Sequence, residues 1–301
     1  MADYAVLMRA FVLVLLLMPP LTGQAQGTGM AITGSQFQYT VQSGDSLTGI
    51  GARFGMDPLQ LAKANGLKYT ALLKLGQVLE VDSRHIVPSG FIDGIVINLP
   101  QRMLFRFRGG EPQDAYPVAL GKPSWPTPMG DFVVRSRERD KTWLVPPSIQ
   151  REMLLNGEPV LTQVPPGPDN PLGRYWLGLS IPGLGIHGTI APQSIYHFQS
   201  HGCIRLHPDD IAALYETVRK GDVGSLIYQP ALLFAAEGGR VYVEIHRDIY
   251  KKGMDAHTLI RELADNEGVS NLIDWEKAAA AIDAREGQVR EVTLTSQWEE
   301  K

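Results

Sequence analysis

Residues 185–206 read "GIHGTIAPQSIYHFQSHGCIRL" and contain Cys203, the only cysteine of the 301-residue chain. Four of the seven histidines lie between residues 187 and 207, around that cysteine. A thiol with a pKa of about 8.5 is mostly protonated at neutral pH, and imidazole is the side chain that can take its proton and return it there. The stretch therefore indicates a chemical site, with a leftover buried cysteine as the alternative on packing grounds.

Two kinds of chemistry fit a cysteine among histidines. The first is a zinc site, with ligands drawn from Cys203, His187, His201 and His207. Metal ligands of this type usually come in spaced pairs, which a single thiolate within one loop does not provide. The second is acyl transfer, in which Gly202 gives a substrate close access to the thiol and allows an unusual backbone angle. We favour acyl transfer and expect neither a metal nor another cofactor.

The N-terminus has the pattern of an export signal. Arg9 precedes a run of apolar residues, 10–18, which is followed by two prolines. This pattern predicts a signal peptide over residues 1–25 that is cleaved after Ala25. An uncleaved anchor is the alternative, but the apolar run is far shorter than the ~20 residues that span a bilayer. We therefore expect an exported protein with no membrane span after signal removal, where a second cysteine could trap the thiol as a disulfide.

Size and charge narrow the classes of protein further. Roughly 275 residues remain after the signal, which predicts two or three domains. The net charge is −4, so we expect no binding to nucleic acid, which requires a basic surface. Residues 26–37 are rich in Gly, Thr, Ser and Gln and are predicted to be a linker.

Residues 38–82 form a compact unit with a strand, two helices and a strand in that order. Ser46 can cap the first helix, and Pro58 suits the first turn of the second. The segments "YTVQSGDSLTGIGARFG", "LAKANGL" and "LKLGQVLEV" resemble a LysM module. That resemblance implies binding to glycans that contain N-acetylglucosamine, such as peptidoglycan. The alternative is a small spacer domain that binds nothing.

Residues 91–230 show short apolar alternations separated by Gly-, Pro- and Asp-rich turns, which predict a mainly β domain with one or two packed helices. The clearest helix begins at Pro208 and is closed by Gly221. Residues 231–301 predict a C-terminal extension with a strand over 239–250 that could extend the sheet, followed by two helices. The fold class is therefore α+β: a small βααβ domain, a mainly β domain and an α-rich extension.

The central region resembles the L,D-transpeptidase catalytic domain of the YkuD family. The resemblance rests on the stretch quoted above, on "TPMGDF" at 127–132 and on "NPLGRYWLGLS" at 170–180, and it covers roughly residues 92–230. It implies a cysteine-dependent acyltransferase. Residues 196–198 depart from the pattern, because Tyr, His and Phe stand where many relatives carry Gly and Arg. Donor or acceptor preference could differ there, and we expect His197 and His207 to take no direct part.

The resemblance implies a role for each matching position. Cys203 would be the nucleophile and His187 the general base, its ring oriented by the main-chain carbonyl of Gly188. His201 would flank the nucleophile and steady the tetrahedral intermediate, with the backbone N–H groups of Gly202 and Cys203 as the oxyanion hole. The substrate-binding candidates are Arg205 and Ser200. Arg205 suits a carboxylate of the stem peptide, unless it forms a structural ion pair; Ser200 shapes the loop more than it does chemistry.

The implied function is that of an exported, periplasmic peptidoglycan L,D-transpeptidase of the Gram-negative type. The enzyme would cut a tetrapeptide stem after diaminopimelate, hold it as a thioester, and pass it to an amine. Acceptors could be another stem, an outer-membrane lipoprotein lysine or a free D-amino acid, and carbapenems would acylate the thiol. The alternatives are a carboxypeptidase or endopeptidase that hydrolyses the same thioester, and a non-catalytic wall-binding protein.

Overall fold

The computed structural model describes residues 31–294. The predicted signal peptide, residues 1–25, lies outside the described residues. Between residues 31 and 294, no helix is long and apolar enough to cross a membrane.

The N-terminal unit has the predicted βααβ order, flanked by two short strands. Its elements are β1 Ile32–Thr33, β2 Gln36–Thr40, α1 Leu47–Phe54, α2 Pro58–Ala64, β3 Val78–Asp82 and β4 His85–Ile86. Ser46 caps α1, because its Oγ accepts from the backbone N–H of Gly49 at 3.1 Å. Strands β2 and β3 pair antiparallel, and both helices pack their apolar side against them around the buried Leu61.

The linker predicted over residues 26–37 contains ordered strands from residue 31 onward. Strand β1 pairs antiparallel with β4, and β2 begins at Gln36. Strand β1 was not predicted because its partner, β4, lies more than fifty residues further along the chain. Composition alone cannot show such a pairing.

The central domain contains eleven strands and two helices. These are β5 Gly94–Asn98, β6 Met103–Arg108, β7 Glu111–Gly121, β8 Gly130–Arg139, β9 Trp143–Leu144, α3 Pro147–Leu155, β10 Gln163–Val164, β11 Tyr175–Leu179, β12 Gly185–His187, β13 Phe198–Ser200, β14 Ile204–Leu206, α4 Pro208–Thr217 and β15 Val223–Ile227. Nine of the strands form one sheet in the order β13-β7-β14-β12-β11-β8-β15-β5-β6, and β6 also pairs with β7. The sheet therefore closes into a barrel-like ring around an apolar core that includes Leu104, Phe132 and Ile186.

Helix α4 packs on this core through Ile211 and Leu214. It begins at Pro208 as predicted but ends at Thr217, four residues before Gly221. The reason is Val218, which is 1% exposed and extended, and whose side chain joins the core. Gly221 instead forms the turn into β15, with a φ of +100°.

The C-terminal unit consists of β16 Ala231–Ala235, β17 Val241–Ile245, α5 Ala256–Asn266, α6 Trp275–Ala284 and β18 Val289–Glu291. The two predicted helices are present. The strand predicted over 239–250 does not extend the main sheet: β17 lies between β16 and β18 in a separate three-stranded sheet. Closure of the main ring through β6 and β7 leaves little free edge for it to join.

A buried carboxylate joins all three units. Glu244 of β17 is 0% exposed; its Oε1 lies 2.7 Å from His85 Nδ1 and 2.9 Å from His246 Nε2. Its Oε2 accepts from the backbone N–H of Ile86 at 2.6 Å and from Gln101 Nε2 at 2.9 Å. On the far side of the His85 ring, Nε2 donates to the carbonyl oxygen of Gly55 at 2.9 Å. Every oxygen lone pair of the carboxylate thus has a partner, which is the condition for burying a charge.

Glu244→Gln should destabilise the protein by about 3 kcal/mol at pH 7, because it removes the charge on which two histidines converge. The two histidines hold the pKa of Glu244 at about 2 although burial alone would raise it. Since this folded value lies below the ordinary 4.5, the stabilisation is present above pH 4.5 and is lost as the pH falls towards 2. Urea unfolding across this range should show the two proteins converging at low pH. The exposed control Glu237→Gln should match wild type. If Glu244→Gln and wild type had the same free energy of unfolding at pH 7, or differed equally at every pH, the stabilising role of the Glu244 charge would be contradicted.

Candidate active site

Strand pairing brings the predicted nucleophile and base together. Strands β12 and β14 pair in parallel, with His187 opposite Arg205. Cys203 immediately precedes β14 and stands two positions before Arg205, so the strand alternation places both on the face that carries His187. Cys203 and His187 line one cleft of about 660 Å³. The cysteine Sγ lies 3.6 Å from the carbonyl oxygen of Gly183, two residues before β12.

The imidazole of His187 is held in one tautomer. Its Nδ1 lies 2.7 Å from the carbonyl oxygen of Gly188, and because a carbonyl only accepts, Nδ1 carries the proton. Nε2 is left with a lone pair. Trp176 of β11 stacks on the ring at 5.6 Å and 23°. Gly185 makes room for this indole, since a Cβ there would lie 2.4 Å from it.

Burial keeps both the predicted nucleophile and the predicted base uncharged in the free protein. His187 is 3% exposed, and burial together with the nearby cation of Arg205 lowers its pKa to about 4. Burial raises the pKa of the Cys203 thiol, although the backbone of Gly185 and the Arg205 charge act against this. The resting site is therefore a neutral thiol beside a neutral imidazole, and not an ion pair.

The loop that carries the predicted nucleophile is fixed from both sides. Gly202 has a φ of +108°, which requires glycine. The buried Ser200 accepts from the Gly202 N–H at 3.1 Å and donates to the carbonyl oxygen of Cys203 at 2.5 Å. Thr127, from the "TPMGDF" segment, donates to the Gly202 carbonyl oxygen at 2.8 Å. Ser200 thus shapes the loop, and in this state it engages one of the two N–H groups expected in the oxyanion hole.

His201 has contacts that the sequence did not predict. Its Nε2 lies 2.5 Å from Oε2 of Glu152 on α3, and Trp125 packs edge-on against its ring at 4.6 Å and 88°. Lys122 contacts the other oxygen of Glu152 at 2.7 Å. Glu152 was missed because it is 49 residues away in the chain and α3 has no buried side chain to give a periodic signal.

Arg205 is without an ion pair. No carboxylate of residues 31–294 lies within 4.0 Å of its guanidinium, and its buried Nε has no hydrogen-bond partner there. The ion-pair alternative is therefore not what the structure shows. Arg205 lines the cleft beside Cys203 and leaves a cation available to a ligand.

The segment from β9 to β10, residues 143–164, forms the wall of the cleft opposite Cys203. We call this segment the cap. Its apolar side chains, among them Trp143, Ile149 and Met153, face the cleft. The cleft is therefore lined by apolar groups from the cap and by the polar residues of β12 and β14, an arrangement typical of a ligand site.

Residues 196–198, where the chain departs from the family pattern, lie between the N-terminal unit and the main sheet. Tyr196 is 1% exposed with a φ of +64°, and the guanidinium of Arg102 lies 3.9 Å from its ring centroid. The Nδ1 of His197 contacts the Tyr196 carbonyl at 3.0 Å. His207 caps α4 by accepting from the Asp209 N–H at 3.3 Å.

The zinc alternative finds no support in the geometry. Across residues 31–294, no three His, Cys, Asp or Glu side chains converge as metal ligands. Three of the four candidate ligands have hydrogen-bond partners in the protein: His187 contacts Gly188, His201 contacts Glu152, and His207 caps α4.

Two protein families match separate parts of the chain. Residues 92–243 match the L,D-transpeptidase catalytic domain, named YkuD, and residues 39–82 match the LysM domain. The first match reaches into β17, beyond the boundary at 230 predicted from the sequence.

Curated relatives match over most of the chain. A probable L,D-transpeptidase of Escherichia coli K12, YbiS, is 31% identical over 226 residues, which are 73% of each chain. Another from the same organism, YcfS, is 27% identical and covers 86% of this chain and 87% of its own. Among solved structures, L,D-transpeptidase 1 of Mycobacterium tuberculosis is 28% identical with a TM-score of 0.30, over 44% of this chain and 60% of its own, too low for an argument from structure. The chain thus belongs to the YkuD family of L,D-transpeptidase catalytic domains and carries a LysM domain before it.

Proposed function

We propose that this protein is an exported, periplasmic peptidoglycan L,D-transpeptidase that acts through a thioester on Cys203. It cuts a tetrapeptide stem after diaminopimelate and transfers the acyl group to an amine. The observation that carries the proposal is the neutral His187, whose Nδ1–H is fixed on Gly188 in the same cleft as the only thiol.

The first half-reaction forms the thioester. The Nε2 lone pair of His187 accepts the thiol proton while Sγ attacks the carbonyl carbon of the donor peptide bond. The imidazolium then gives this proton to the nitrogen of the departing D-amino acid as the C–N bond breaks. A buried imidazolium next to Arg205 is a strong acid, since its pKa is about 4, which favours this second step.

Backbone donors stabilise the negative oxygen of the tetrahedral intermediate. We assign this role to the N–H groups of Gly202 and Cys203, because the ring N–H of His201 is engaged by Glu152. The Gly202 N–H donates to Ser200 Oγ in the free protein, so the hydroxyl has to yield this donor when the oxyanion forms.

The unpaired guanidinium of Arg205 is suited to bind a carboxylate of the stem peptide. Its position beside the nucleophile would orient the donor with its scissile carbonyl at Sγ. The apolar wall of the cap would exclude part of the water that competes for the thioester.

The LysM domain would hold the enzyme on the glycan and raise the local concentration of stem peptide. It is docked on the catalytic domain: Arg53 of α1 pairs with Asp210 of α4 at 2.8 Å, and α1 packs on the turn at Pro192–Ser194. Its orientation relative to the cleft is therefore set. The acceptor could be another stem, a lipoprotein lysine or a D-amino acid, and a hydrolase using the same thioester is the second candidate.

Cys203→Ala should abolish acylation. Whole-protein mass spectrometry of the wild type with a tetrapeptide muropeptide, or with a carbapenem, should show one covalent adduct, and the alanine variant should show none. The products should include a stem joined to the acceptor amine. Hydrolysed stems alone would favour the hydrolase, and an adduct that persists in the alanine variant would contradict the assignment of the nucleophile.

The pH dependence of acylation should report the low pKa of His187. Only the neutral imidazole can accept the thiol proton, so the rate should fall as the pH drops through about 4 and stay level from pH 5 to 7. Arg205→Gln should move this acid limb to higher pH, because it removes a cation that disfavours the imidazolium. Stopped-flow carbapenem acylation measures the profile; an acid limb at the ordinary value of about 6.5 would contradict a buried neutral base.

Donor binding should depend on the charge of Arg205. Hydrogen bonds to charged groups contribute about 1.5–3 kcal/mol, so Arg205→Gln should weaken tetrapeptide binding roughly ten- to a hundredfold. Calorimetry on the Cys203→Ala background measures this Kd without turnover. A donor with its diaminopimelate carboxylate amidated should bind with the same Kd whether residue 205 is Arg or Gln. If Arg205→Gln weakened binding of both donors equally, the proposed contact between Arg205 and that carboxylate would be contradicted.

A further inference from the structure

Glu152 connects the cap to the loop of the nucleophile. It lies on α3, outside the three quoted motifs that carry the family resemblance. Its Oε2 is 2.5 Å from Nε2 of His201. Its Oε1 is 2.7 Å from Nζ of Lys122, at the start of the loop between β7 and β8. One carboxylate thus contacts both His201, two positions before Cys203, and Lys122, which follows β7.

The contact fixes the tautomer of His201. The pKa of Glu152 is lowered by the hydrogen bonds from Lys122 and His201, so it is ionised at neutral pH and can only accept. Nε2 of His201 therefore carries a proton, and Nδ1, which has the lone pair whenever the ring is neutral, has no hydrogen-bond partner among residues 31–294. Trp125 holds the plane of the ring at 88° to its own. The ring is thus set up as a proton acceptor at Nδ1.

The two histidines differ in what can reach them. His187 is 3% exposed behind Trp176, whereas the side chain of His201 is 25% exposed on the open side of the cleft. An acceptor amine arrives as an ammonium with a pKa of about 10.4 and must lose a proton before it can attack. The carboxylate of Glu152 lies against the ring that would take up this proton, whereas the cation of Arg205 opposes a positive charge on His187.

We propose that Glu152 is a positioning residue that holds His201 as the proton acceptor for the incoming amine. The inference rests on the proposed transpeptidase function and assigns the transfer half-reaction to a second histidine. One ammonium proton passes to Nδ1 of His201 and then to solvent. The amine lone pair forms the new C–N bond, the C–S bond breaks, and the second proton from nitrogen returns the sulfur to a thiol.

The test separates acylation from transfer. Full-length protein is first acylated with a tetrapeptide donor, then mixed with a stem-peptide amine, and adduct loss and products are followed by mass spectrometry. Glu152→Gln should acylate within twofold of wild type but transfer to the amine at least about tenfold more slowly at pH 7. Transfer should recover towards pH 10, where a substantial share of the amine is neutral without a base. Glu237→Gln makes the same charge change at an exposed position between β16 and β17, outside the cleft, and should behave as wild type.

Three results would overturn the inference. Acylation and transfer could fall together in Glu152→Gln, which would indicate a structural role. Transfer to the amine by Glu152→Gln could equal that of wild type. Slower transfer by this variant could also persist at high pH. Failure of the proposed function itself looks different, because the wild type would then form no acyl-enzyme at all.

Discussion

The parallel pairing of β12 with β14 is the constraint on which the site depends. It sets His187 opposite Arg205 and brings Cys203 to the same face, although the cysteine stands sixteen positions after the histidine. Ring closure through β6 and β7 fixes this pair, since β7 also pairs with β14. The geometry then determines the electrostatics: burial within the sheet, with a cation one strand away, keeps the imidazole neutral and basic only at Nε2.

The three units form one assembly around the catalytic loop. The LysM domain packs its first helix on the turn at Pro192–Ser194, within the loop that joins His187 to Cys203. Tyr196 fills the space between that domain and the sheet, and Glu244 of the C-terminal unit completes the junction through His85. The departure of residues 196–198 from the family pattern therefore coincides with a domain interface. The LysM domain and the C-terminal unit both support the segment that positions the thiol.

Features local in sequence were predictable, and those that depend on distant contacts were not. The βααβ order of the LysM domain, the start of α4 and the grouping of Cys203 with His187 all follow from short motifs. The partner of His201 lies 49 residues upstream on a helix without buried side chains, and the partner of His85 lies 159 residues downstream. The placement of β17 in the main sheet was wrong, because strand periodicity cannot reveal that β6 and β7 have already closed that sheet. Nor does composition show that β1, which lies in the predicted linker, pairs with β4.

The charge state of His187 in the free protein tests the account most directly. NMR titration of protein labelled with nitrogen-15 in its histidine rings reports both the pKa and the tautomer. The account predicts a pKa of about 4 and, at neutral pH, a ring with its proton on Nδ1. A ring that is already charged at pH 7 would contradict it, since the resting site would then be a thiolate–imidazolium pair and His187 would have no lone pair with which to activate Cys203.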